Sequence, residues 1–313
     1  MKAVVYEAYG PPDVLHLADV PKPAPRPDEI VIKVYATTVS AGDARMRALN
    51  VPGPIWERLA ARVYLGIRRP KRQILGMQLA GEVEATGENV RRFVVGDQVF
   101  ASTGLEFGGY AEYRCLAEKS VTAVKPATMS YEEAATVPTP GIGALRVLRQ
   151  ANIQPGQNVL VYGASGSVGT FAVQLARVFG AEVTAVCSDA NSELVKSLGA
   201  SEVIDYTRTD YAASGARYDC ILDAVGKIPK AERQKALAPT GTFVSITQQD
   251  GERLEDLVYL RDLIETGELR TVIDRRYPLA EAAEAHRYVD TGHKKGHVVL
   301  IVRPEERAQT QTE

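Results

Sequence analysis

The chain has 313 residues, 45% hydrophobic and 24% charged, with 37 Lys and Arg against 39 Asp and Glu. That length suits two domains better than one core, and a formal net charge of -2 leaves no basic excess for a nucleic-acid partner. No apolar run reaches the roughly 20 residues that span a bilayer, so no membrane span is expected. Cys115, Cys187 and Cys220 are too scattered for a disulfide framework or a Cys-x-x-Cys metal knuckle. Their expected use is packing in a reduced, cytoplasmic protein.

In chain order, Met1-Lys2-Ala3-Val4-Val5-Tyr6 lacks the features of a signal peptide and reads as a strand that starts at once. The proline-dense Val20 to Pro27 fits neither a helix nor a sheet centre. Ile30 to Ala36 alternates as a half-buried strand does, and Gly81 to Ala85, Gly96 to Phe100 and Tyr110 to Leu116 continue that style. Short strands with few helices point to a compact, partly open β-barrel. The pattern changes at Ser130, an N-cap for a helix with an acidic first turn at Glu132 and Glu133. Pro138 and Pro140 are expected to interrupt that helix, with the next one running from Gly143 to Ala151.

Strands then alternate with helices. Asn158 to Tyr162 is followed by a helix over Val168 to Phe179, and Glu182 to Cys187 by a helix over Glu193 to Leu198. Further strands are expected at Ser201 to Asp205, Asp219 to Asp223 and Thr242 to Ile246. This order predicts a parallel sheet covered on both faces. Leu279 to Val289 reads as a helix, His297 to Val302 as a last strand, and Pro304 to Glu313 as a polar tail that frays.

Between the first of these strands and its helix stands Gly163-Ala164-Ser165-Gly166-Ser167-Val168-Gly169. A dinucleotide needs a tight turn there, free backbone NH groups, and nothing bulky against its pyrophosphate. Gly166 permits that close approach, and Gly169 lets the helix pack on the sheet. Ala164 replaces the usual first glycine of the pattern. The strand before, the helix after and the second strand supply the context that a bare glycine pattern lacks. At the end of the second strand an acidic residue would hold the ribose hydroxyls of NADH and repel a 2′-phosphate. Cys187 and Ser188 stand there, with Asp189 just beyond. NADPH is therefore the expected cofactor, with NADH as the second option.

These motifs resemble the medium-chain dehydrogenase/reductase superfamily, in particular its zinc-free quinone oxidoreductase-like branch. The opening six residues, Gly10-Pro11-Pro12, the glycine-rich turn, Ser197-Leu198-Gly199-Ala200, Asp223-Ala224-Val225-Gly226 and Val272-Ile273-Asp274-Arg275 carry the likeness together. The resemblance implies a GroES-like, partly open β-barrel catalytic domain over 1–126 and a Rossmann-type doubly wound parallel sheet over 127–271. Residues 272–313 would return to the catalytic domain and end in the tail, with the active site in the cleft. It also implies that Ser188, Asn191 and Tyr206 contact the adenosine phosphate end, and that Asp223, Ala224 and Val225 pass beneath the cofactor. Ala190 and Asn191 are not basic, unlike the matching residues of close relatives.

Where zinc alcohol dehydrogenases of the superfamily hold metal, this chain has Ser40 for the cysteine and Met77-Gln78 for the His-Glu pair, so no metal is expected. His293 and His297 flank Lys294-Lys295-Gly296 in what reads as a basic turn. Without zinc, an acceptor must be polarised by hydrogen bonds. That favours quinones and α,β-unsaturated carbonyls as substrates. Ser40, Asp43, Tyr64 and Thr139 are the candidate catalytic residues, the first two in a loop over Thr37 to Arg45. Each also has a plainer structural reading: loop stabilisation, local capping, lid packing and a hinge. Val51 to Pro70 is expected to cover the cleft or shape an apolar acceptor site, and Arg68 to Arg72 to be a solvated face. Two other functions stay open, an alcohol dehydrogenase-like or carbonyl reductase and a non-catalytic NADPH-binding protein.

After Ile246, the segment Thr247-Gln248-Gln249-Asp250-Gly251-Glu252 leads almost directly to Asp256, without the strand, loop and helix that the family has. Either the protein is shortened there or the sequence lacks residues that the protein has. The missing part normally includes an edge strand that pairs subunits, so a homodimer is left open.

Overall fold

A computed structural model describes residues 1–51, 53–213, 215–247 and 251–305. Pro52, Ser214, Gln248-Gln249-Asp250 of the short connection, and 306–313 of the tail lie outside the described residues. The chain forms two compact units. The first comprises Met1–Thr136, Arg275–His293 and the residues from Val298 on, and the second comprises Val137–Asp274 with Lys294–His297.

The first unit is built on antiparallel strands. Glu29–Val39 pairs with Gln78–Thr86, with Tyr113–Ala117 and with His297–Ile301, and Gln98–Ser102 joins Gln78–Thr86 to Thr122–Val124. Two register shifts between Glu29–Val39 and Gln78–Thr86 mark bulges, which bend the sheet. One face of Glu29–Val39 feeds a core of Ile30, Ile32, Val34, Leu79, Val83 and Val99. A second core joins Val4, Tyr6, Leu75, Phe107 and Tyr110 to Leu279, Ala285 and Val289.

Two further helices lie in this unit, the first where a loop was expected. Ala41–Ala48 starts at Ser40 with a capping box: the Ser40 side chain accepts from the Asp43 backbone NH, and the Asp43 side chain accepts from Ser40. The same Ser-x-x-acid spacing stands at Ser130, the expected N-cap, which forms a capping box with Glu133. At Ser40 it was hidden by a short polar helix with no apolar stripe. Ile55–Leu65 is the second helix.

The second unit holds five parallel strands in the order Glu202–Asp205, Glu182–Cys187, Asn158–Tyr162, Tyr218–Asp223, Leu237–Ser245. The order reverses direction at Asn158–Tyr162, the switch point where doubly wound sheets take ligands. Val159, Leu160 and Val161 are buried in succession, as a strand covered on both faces requires. The prolines near its start do not interrupt a helix: Pro138–Ala151 is one helix with Pro138 and Pro140 in its first turn. A proline there lacks only an NH that has no helical partner anyway. Among the described residues no helix is long and apolar enough to cross a membrane.

Candidate cofactor and active site

The glycine-rich turn shows why each small residue is needed. Gly163 has a φ of +77°, so the left-handed turn falls one residue before Ala164, and Ala164 is tolerated in the place of the usual glycine. A Cβ on Gly169 would sit 2.1 Å from the Gly163 carbonyl oxygen, so only glycine lets the helix approach the strand. Gly166 differs: a Cβ there meets only the Gly163 oxygen, at 3.4 Å. The empty space beside it is the approach that a pyrophosphate needs.

Gly166 is the N-cap of the helix Ser167–Val178 and supplies no side-chain cap. The first NH groups of a helix have no partners within it; the backbone at Ser167 is engaged by the bridge between Gly166 and Gly296, and the next NH groups, of Val168 and Gly169, stand at the positive end of the dipole, where an anion is favoured.

Three expected cofactor residues meet beside this turn. The Asn191 amide donates to Ser165 Oγ at 3.1 Å and to Ser188 Oγ at 3.2 Å. Asn191 is buried, and its Oδ1 has no partner. An unpaired buried amide oxygen is costly. A hydroxyl donor such as a ribose would satisfy it, so the residues fit a dinucleotide. Val225 packs against Gly163, which brings the Asp223-Ala224-Val225 turn to the cradle. Asp223 itself is buried and accepts from the NH groups of Val225, Gly226 and Ile228. It shapes the turn and presents no free oxygen to a ligand.

Cys187 corrects the sequence reading. Its side chain was expected to reach the adenosine ribose, but it is buried. Burial, with Asp205 and Asp189 nearby, pushes its thiol up to about 11. Asp205 is its register partner on the neighbouring strand. A carboxylate, Asp205, therefore stands beside this strand end on the neighbouring strand. Tyr206 is exposed, and its NH donates to the Cys187 carbonyl.

Sequence reasoning missed Lys294. Read as part of a basic turn, it lies against the cradle: its Nζ donates to Ser167 Oγ and, at 2.8 Å, to the Gly296 carbonyl. Ser167 Oγ donates to the same carbonyl at 2.7 Å, and the Gly296 NH donates to the Ser165 carbonyl. An ammonium at the positive end of a helix, with no ion-pair partner among the described residues, lacks an anion. Burial lowers its pKa to about 8, with Asp274 pulling the other way. No local pattern signals this contact, because the partners are 127 positions apart.

In the first unit Ser40 and Asp43 do meet. Asp43 Oδ2 accepts from the Ser40 NH at 2.9 Å and from Ser40 Oγ at 2.6 Å, and Oδ1 accepts from the Gly76 NH at 3.0 Å. Burial raises the Asp43 pKa to about 6 against the pull of these bonds. Asp43 has no exposed surface. It holds Ser40 and the Gly76-Met77 turn together, and Met77 Sδ lies 3.9 Å from Ser40 Oγ. Tyr64 is half-exposed on Ile55–Leu65 with the Arg72 guanidinium over its ring. Thr139 lies in the first turn of Pro138–Ala151, in the second unit. Among the described residues, no three His, Cys, Asp or Glu could hold a metal ion.

A parallel sheet with a glycine cradle at its switch point, on one chain with an antiparallel unit, defines a two-domain dinucleotide-binding architecture. Two family descriptions match it: an alcohol dehydrogenase GroES-like domain over 26–126, and a zinc-binding dehydrogenase domain in two pieces, 198–258 and 249–300. The pieces overlap close to the short connection. The chain is 33% identical to the chloroplastic quinone-oxidoreductase QR1 of Triphysaria versicolor, over 96% of this chain and 98% of that one. It is 32% identical to the chloroplastic NADPH-dependent alkenal/one oxidoreductase of Arabidopsis thaliana, over 97% and 80%. The solved quinone oxidoreductase from Coxiella burnetii shares 32% identity, with a TM-score of 0.83 over 97% of this chain and 99% of that one. The chain belongs to the medium-chain dehydrogenase/reductase superfamily, with quinone oxidoreductase-like relatives.

Proposed function

We propose that the chain is an NADPH-dependent reductase of quinones or α,β-unsaturated carbonyls that works without a metal. The observation that carries this reading is the cradle, with its helix N-terminus that no side chain caps, open Gly166 and unpaired Asn191 oxygen. The relatives named above act on quinones and on alkenals or alkenones. Bound there, the nicotinamide cofactor supplies a hydride. Gly166, the first turn of Ser167–Val178 and Lys294 would hold the pyrophosphate, and Ser165, Ser188 and Asn191 the ribose end. The zinc-free reading rests on donor chemistry. A hydroxyl already committed to Asp43 and a thioether are poor zinc ligands, so the acceptor carbonyl is polarised by hydrogen bonding. Ser40 is the proposed donor, its single hydroxyl hydrogen turning from Asp43 Oδ2 to the acceptor, while Asp43 holds the residue in place. The finer choice of NADPH rests on the neutral Ser188 and on the NADPH-dependent relative.

Rapid mixing of the protein and NADPH with a panel of quinones and enals tests this. Oxidation of NADPH with at least one class, unchanged by a chelator, is the expected result. Cofactor binding with no turnover across the panel would leave a non-catalytic NADPH-binding protein. Turnover abolished by the chelator would return the chain to the metal-dependent dehydrogenases.

A further inference from the structure

The helix Ile55–Leu65 is inside out. A surface helix normally turns its apolar stripe to the core, but here only Leu65 is buried. Ile55, Leu59 and Val63 recur every fourth residue, and Trp56 widens the stripe. All face solvent, with Ile55 83%, Trp56 68% and Leu59 62% exposed. Ile67 extends the patch just beyond the helix. Contiguous exposed apolar surface of this kind marks a binding face.

The rim of the patch is basic. Arg58 and Arg62 border the stripe on the helix, and Arg68, Arg69 and Lys71 follow it, all exposed. None of the five forms an ion pair among the described residues. Arg62 donates to the Ile67 carbonyl and Lys71 to the Val63 carbonyl, which hold the basic segment against the helix end with both charges unneutralised. Glu57 is the single acidic residue on the helix. A groove of about 250 Å³ lined by Leu49, Ile55, Arg58, Leu59 and Arg62 sets an apolar floor beside two guanidinium groups.

We propose that this face docks on an anionic lipid surface, with the helix lying in the plane of the interface. Its composition is that of an interfacial helix, with Trp and Leu on one side and arginines at the edge. Phospholipids satisfy the groove with an acyl chain and a phosphate together. A second copy of the chain does not fit, because a symmetric contact would set one basic rim on the other. The absence of a spanning helix does not bear on this, since the contact is peripheral. The inference is independent of the reaction proposed above, although lipid-soluble quinones partition into the same layer.

Trp56 is the only tryptophan in the chain, so the full-length protein carries its own reporter. With vesicles of phosphatidylcholine and phosphatidylglycerol, its emission should shift to the blue and be quenched by brominated acyl chains. High salt should reverse the effect. Leu59→Asp, and separately Arg68→Glu with Arg69→Glu, should each weaken partitioning about tenfold or more, with the far-UV dichroism of the wild type. No shift with the anionic vesicles, or an equal shift with phosphatidylcholine alone, overturns the proposal. So does a blue shift without lipid that grows with protein concentration, which would assign the face to a second copy. A blue shift on adding NADPH and acceptor without lipid also overturns it, in favour of a lid.

Discussion

At Gly166 a Cβ would meet almost nothing within the protein, and the backbone φ of -80° suits any residue. Gly166→Val should therefore fold normally and lose cofactor affinity by about tenfold or more, about 1.4 kcal/mol. Fluorescence titration with NADPH checks this, and an unchanged affinity would mean the cradle is not the phosphate site. Cofactor choice is the second prediction at this scale. Neutral donors hold a phosphate less strongly than a guanidinium does, and Asp189 and Asp205 stand near Cys187. The expected preference for NADPH over NADH is about tenfold in kcat/KM. Asp205→Asn should increase it by removing a negative charge. A wild-type ratio at or below one would show that the carboxylates govern the pocket. Cys187→Asp is a poor test of preference, because it would bury a carboxylate beside Asp205.

The helix Ser167–Val178 joins two positive groups, its own N-terminus and Lys294. An anion relieves both, and so should raise the Lys294 pKa from about 8. The charged or titratable groups facing it are Asp274, whose carboxylate accepts from the Lys295 NH, and His297, whose pKa is pushed down by burial and by Lys294. Binding NADPH near pH 8 should therefore take up protons, and affinity should fall as pH rises through that value. Calorimetry in buffers of different ionisation enthalpy measures the uptake. Lys294→Met should abolish it and weaken binding about tenfold, whereas Lys294→Arg should restore affinity without the pH dependence. An unaltered uptake in Lys294→Met would assign the proton to another group. The neighbouring elements of this unit were legible in the sequence to within a residue or two for most strands. Apolar runs bounded by Gly199, Gly180 and the cradle leave little freedom in where such strands begin. Only the last extends well past the reading, starting at Leu237 instead of Thr242.

Stability as a function of pH joins two groups in the first unit. His286 is buried between Arg47, which donates to Nδ1, and Tyr110 at Nε2, and Arg47 also pairs with Asp290. Burial, with Arg47 beside it, lowers the His286 pKa to about 3. Between about pH 6.5 and 3 the unfolded chain thus binds a proton that the folded one refuses, and this contribution to stability is lost on acidification. Asp43 opposes it. With a folded pKa of about 6, it binds more protons when folded, and its contribution falls as pH rises from about 4 to 6. His286→Gln keeps an acceptor and a donor but removes the titration. Urea unfolding across this range should show a shallower loss of stability with acid in the variant than in the wild type. Equal slopes would place the acid sensitivity elsewhere.

Local order was readable because it is written in neighbouring residues. The strand, turn and helix of the cradle, the acidic first turn after Ser130 and the packing role of Gly169 follow from hydrophobic period, capping chemistry and the lack of a side chain. What the tertiary structure decided lies between residues far apart. It placed Lys294 on Ser167, the Gly76 NH on Asp43 and Arg47 on His286, and it turned the apolar stripe of Ile55–Leu65 outward. Periodicity shows that a helix has an apolar face but not which way the face turns. Composition shows that a lysine is charged but not what it approaches. Both depend on how the elements pack, and that is settled by contacts between segments that no short window of the sequence contains.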